Sequence, residues 1–107
     1  MFQKDYLLRL IEKLAEAVAA WRRTGAGGHP VEVDEILKEA AGLSIHTIDA
    51  LSVDALVRLL SRDDPLAHRR CRVVADALSA LAEIEGGPWA ASRKAKAEAL
   101  GERASGS

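Results

Sequence analysis

Cysteine, proline and aromatic side chains are all scarce in this chain of 107 residues. A single cysteine, Cys71, excludes an internal disulfide and every motif that holds a metal between paired cysteines. No apolar run approaches the roughly 20 residues that a membrane-spanning helix needs. The opening stretch, 1–14, carries charges throughout its apolar pattern, which is unlike a secretory signal. Neither sign of charge dominates: 15 Lys and Arg stand against 16 Asp and Glu, so bulk attraction to nucleic acid or anionic membrane is not expected. Valine and isoleucine together number 12, a thin supply for a sheet. These absences leave a small cytoplasmic domain. Area scaling allows a chain of this mass to bury roughly 65% of its open-chain surface, enough for a core without staples.

What is present favours helix. Ala (20) and Leu (14) make up about a third of the residues, and both rank high in helix propensity. The three prolines all sit where a helix would start, at His29-Pro30, Asp64-Pro65 and Gly87-Pro88. The missing proline N–H costs nothing at a first helical position. Glycines gather at 25–28, 42 and 86–87, where helices should stop. The fold class expected is all-α, with five to six helices in antiparallel hairpins.

The first helix is predicted over 3–24, with Leu7, Ile11, Leu14, Val18 and Trp21 forming one seam at spacings of four and three. A second, over 30–41, presents Val33, Ile36, Leu37 and Ala40, and Gly42-Leu43 fits a glycine cap with a hydrophobic latch. Ser44 opens a helical turn that reaches residue 50. Ser52 caps a third helix over 53–61, and Leu51 and Leu56 are spaced for a hydrophobic staple. Asp64-Pro65 starts a fourth helix, with a seam of Ala67, Cys71, Val74, Leu78 and Leu81. The fifth opens at Pro88-Trp89 and reaches Leu100, but its apolar face is mostly alanine, with Trp89 and Leu100 as the large anchors. The domain is expected to span 1–104 (hairpin 3–42, short helices 44–61, repeat-like hairpin 64–103), with 105–107 a frayed tail.

Two stretches share a layout of long helix, glycine pair, proline and shorter helix. Helical hairpins repeated at about 34 residues are the unit of tetratricopeptide solenoids. Leu78, Ser79, Gly86, Trp89, Ser92, Ala99 and Leu100 resemble positions of that repeat, with the turn one residue longer. The opening motif Met1-x-x-x-Asp5-Tyr6-Leu7-Leu8-Arg9-x-Ile11 resembles the start of a family of short bacterial proteins of unknown function with tetratricopeptide-like helices. Gly42-Leu43 and Leu51-Ser52-Val53-Asp54-Ala55-Leu56 continue the likeness, while Gly27-Gly28-His29-Pro30 at the first turn departs from it. The resemblance implies a helical fold and brings no activity or site residues with it.

Chemistry-bearing groups do not converge in the sequence. His68 and Cys71 lie three apart on one helix, but a metal site needs further ligands that no motif supplies. Cys71 reads more simply as a small core residue. Asp64, Ser44 and Ser52 are accounted for as caps. The glycine-rich 25–28 stretch lacks the following Lys-Ser/Thr of a phosphate loop. No cofactor and no catalytic residue is therefore expected.

Charge is uneven along the chain: net +2 over 1–30, −4 over 31–61, +2 over 62–75 and −1 over 76–107. Arg62, Arg69, Arg70 and Arg72 form a candidate basic patch, but no aromatics are interleaved with them, so a solvated helix face explains them more simply than nucleic-acid binding. Two hairpins are fewer than the three that stacked repeats usually need, and the first helix is apolar on more than one flank. A homodimer is expected to cover that surface, with Phe2, Tyr6, Leu10, Trp21 and Trp89 as candidate interface residues. The reading is a non-enzymatic protein–protein interaction or adaptor module, paired with itself and with an unidentified protein. The alternative is a small-ligand carrier or sensor with a pocket near Trp21 or Trp89.

Overall fold

A computed structural model describes residues 2–24, 31–61 and 67–105. The described residues form helices and connecting turns without any strand, so the chain is all-α. The helices are α1 (Phe2–Thr24), α2 (Val31–Ala41), α3 (Ile45–Ala50), α4 (Val53–Leu60), α5 (Ala67–Ala80) and α6 (Ala90–Ser105), with α5 prolonged by a π-helical turn, Leu81–Glu85. None of them is long and apolar enough to cross a membrane. The glycine stretch 25–28, His29-Pro30 and the Asp64-Pro65 cap lie outside the described residues.

Local signals place the helix ends. Ser44 Oγ accepts the Thr47 N–H at 3.3 Å to start α3, and Ser52 Oγ accepts the Ala55 N–H at 3.1 Å to start α4. Gly42 closes α2 with a φ of 77°, its N–H donating to the Lys38 carbonyl at 2.8 Å, and Leu43 packs partly buried against the core. The π-turn stops at Gly86, whose φ of 64° and ψ of −139° are open essentially to glycine alone. The last helix begins two residues later than the sequence suggests, at Ala90, because Pro88 and Trp89 form the turn leading into it. Ser105, expected in the tail, is still helical.

The seams meet in one core. Ile11, Leu14, Val18 and Trp21 of α1 are buried together with Val33, Leu37 and Ala40 of α2, Ile45 and Ile48 of α3, and Leu56 and Leu60 of α4. Helix α5 lies at the centre, packed on α1, α2, α4 and α6. Its buried residues, Cys71, Val73, Val74, Ala75, Ala77, Leu78 and Ala80, reach around much of its circumference. That is the burial pattern of a helix enclosed by neighbours rather than lying on a surface. The most extensive packing is between α5 and α6. They run antiparallel: the Gly86-Gly87 turn joins them at one end, and His68 Nδ1 sits 3.3 Å from the Ala104 carbonyl at the other.

Candidate functional site

The alanines of α5 and α6 have a consequence for surface shape. Small side chains on adjoining helices leave space above them, and here the space is a groove of about 720 Å³ between α1, α5 and α6. Ile11, Val73, Ala75 and Ala97 are buried and form its floor, and Ala15 and Gly101 extend the small-residue surface. Charged residues surround that floor: Glu12 from α1, Arg72 and Asp76 from α5, Lys94 and Glu98 from α6. Both signs occur along one rim. Asp76 is already engaged, since its carboxylate lies 3.3 Å from an Arg22 nitrogen, while Arg22 also donates to Glu83 at 2.7 Å. At these exposures such pairs contribute about 0.5 kcal/mol each.

A buried polar cluster holds the α6 wall in place. The Arg93 side chain is 6% exposed and donates to both carboxylate oxygens of Asp49, at 3.1 and 2.8 Å, and to Glu85 at 2.6 Å. Its pKa is raised, first by the hydrogen bond to Asp49; burial works the other way, and the Glu85 hydrogen bond adds to the rise. Lys96, also buried, donates from Nζ to the carbonyls of Ile48 and Asp49 at 2.8 and 3.2 Å. These carbonyls belong to the last turn of α3, where helix geometry leaves acceptors without intrahelical donors and favours a cation. The α6 face turned to the protein is therefore Arg93, Lys96, Ala97 and Leu100. Sequence reasoning missed the first two. The signal was present in their spacing, in phase with Ala97 and Leu100, but two cations on a buried face read as solvent-facing until their partners are known.

The interface candidates separate. Leu10 and Trp21 are inside the chain's own core, at 7% and 2% exposure, so neither offers surface to a second molecule. The seam of α1 that carries them is covered by its own neighbouring helices. The side chain of Phe2 lies outside the described residues. Tyr6 and Trp89 are exposed. Tyr6 donates its hydroxyl to Glu39 on α2 at 3.0 Å, and that hydrogen bond, followed by the carboxylate charge, raises the phenol pKa above its usual 10.0. Neither tryptophan lines the groove.

The arginine cluster is divided as well. Arg62 lies outside the described residues. Arg69 and Arg72 are exposed, and Arg72 belongs to the groove. Arg70, two positions from Arg72 and on the other side of the helix, borders a small hollow with Glu39 and Leu59. Cys71 is buried and donates its thiol to the Leu60 carbonyl at 3.4 Å, while His68 meets Ala104. The pair thus serves two different helix contacts. Among the described residues no group of three His, Cys, Asp or Glu side chains is placed to hold a metal ion.

In comparisons with known proteins, no family model matches the chain, nor does any curated protein or solved structure.

Proposed function

We propose that this chain is a non-enzymatic protein–protein interaction module whose contact site is the groove between α1, α5 and α6. One observation carries the reading: an apolar floor in which Ala75 and Ala97 sit beside Ile11 and Val73, bordered by charges of both signs. Small residues allow a helix to approach closely, and a mixed rim gives register to an amphipathic helix laid between the walls. A photo-reactive residue introduced at Ala15, exposed on the groove wall, should form an adduct with a discrete protein in the native cells. The same residue at Lys38, exposed on α2, serves as the control. Absence of any protein adduct from position 15 would overturn the proposal.

The groove's size favours a second reading, a small-ligand carrier. Its volume of about 720 Å³ falls within the roughly 300–1,000 Å³ usual for ligand pockets. A metabolite or acyl chain that raises the unfolding temperature of the wild-type chain but not of Gly101→Trp would support it. Gly101 suits this use because a Cβ there meets nothing within 4 Å.

A further inference from the structure

We infer that the occupant of the groove is a second copy of this chain, placed by a twofold axis so that the two α6 helices lie antiparallel across the grooves. The inference rests on the interaction reading above and names its partner. The relevant face of α6 consists of Ala91, Lys94, Glu98 and Gly101, at the three–four–three spacing that keeps residues on one side of a helix. Lys94, Glu98 and Gly101 line the groove, and Ala91 is exposed one turn before Lys94.

This face is complementary to itself. Turned antiparallel about a point midway between residues 94 and 98, it sets Lys94 against Glu98 of the second copy and Glu98 against Lys94 of the second copy. The same operation sets Ala91 against Gly101, small against small at both ends of the contact. A twofold interface demands such reciprocity, because each contact occurs twice. A sequence with Lys at both positions, or Glu at both, would repel its own copy.

The charges are available for this role. Neither Lys94 nor Glu98 takes part in an ion pair among the described residues. Within one helix the order Lys then Glu at four residues is the less favourable orientation for such a pair. The pair therefore gains little inside its own chain and more across an antiparallel contact. Glu12 and Ala15 of α1 form the opposite wall, so the first helix borders the same interface.

Sedimentation velocity at micromolar concentration tests the inference through charge reversal. Wild type should sediment as a dimer of the 11.5 kDa chain, with an affinity that weakens as salt is raised. Lys94→Glu and Glu98→Lys should each weaken the dimer about tenfold or more, because every reversal replaces two attractive contacts with two repulsive ones. An equimolar mixture of the two variants should regain a dimer, since each copy then meets the opposite sign at both contacts. Circular dichroism should show both variants folded, as both side chains are exposed.

Wild type sedimenting only at 11.5 kDa would overturn the inference. So would a dimer indifferent to salt, a dimer indifferent to both reversals, or folded variants that fail to associate on mixing. A monomeric chain that still forms an adduct from position 15 with a protein of another mass would overturn the second-copy occupant and leave the interaction reading standing.

Discussion

Arg93 shows how much one side chain can hold together here. It bridges the end of α3, through Asp49, to the π-turn, through Glu85, and thereby fixes α6 in the angle between them. Removing water from a guanidinium is costly, and the geometry offsets that cost with a two-pronged contact to Asp49. Asp49→Ala should destabilise the fold by about 3 kcal/mol in urea unfolding, because it leaves a buried cation with half its partners. Combining Asp49→Leu with Arg93→Met should cost less than Asp49→Ala alone, since no buried charge is then stranded. The exposed Tyr6 gives a second readout. Its absorbance titration should have a midpoint above 10.0 that falls on Glu39→Gln. A phenol pKa raised by folding contributes stability that is complete below the unfolded value and is lost as pH climbs through the folded one.

Among the elements, glycines with opposite roles give predictions of opposite sign. Gly86 terminates the π-turn at a positive φ, so Gly86→Ala should cost about 1–3 kcal/mol and lower the melting temperature. Gly101 stands in the interior of α6 at ordinary helical angles with open space where a Cβ would go. Gly101→Ala should therefore raise stability by about 0.5–1 kcal/mol. The starts of α3 and α4 were legible because a serine cap acts over three residues and needs no tertiary context. The interior of α6 was not. Its alanines favour helix in any surroundings, but which side faces inward is decided by Asp49 and the α3 carbonyls, more than forty residues away. Trp89 illustrates the same limit. The largest side chain of the expected fifth helix sits in the turn ahead of it, 47% exposed, and a cation one turn later takes the inward position.

For the molecule as a whole, α5 ties α1, α2, α4 and α6 together, because all four pack on it, and these helices are expected to unfold as one cooperative unit. Trp21, buried in α1, should report that cooperativity. In a Trp89→Phe background, denaturant transitions followed by tryptophan fluorescence and by circular dichroism should coincide. Separation of the two curves would show that α1 unfolds independently of the rest.

The sequence by itself determined the helical class, most of the helix boundaries and most of the apolar seam residues of α1, α2 and α5. These follow from propensity, proline and glycine placement, and a periodicity that acts within a few residues of chain. Only the tertiary structure decided which faces of α1 and α6 remain at the surface. Leu10 and Trp21 went inside because neighbouring helices cover them, and Arg93 and Lys96 followed because distant acceptors receive them. The groove, bounded by three helices, is likewise a product of their packing: small side chains define a hollow only once larger elements stand on either side.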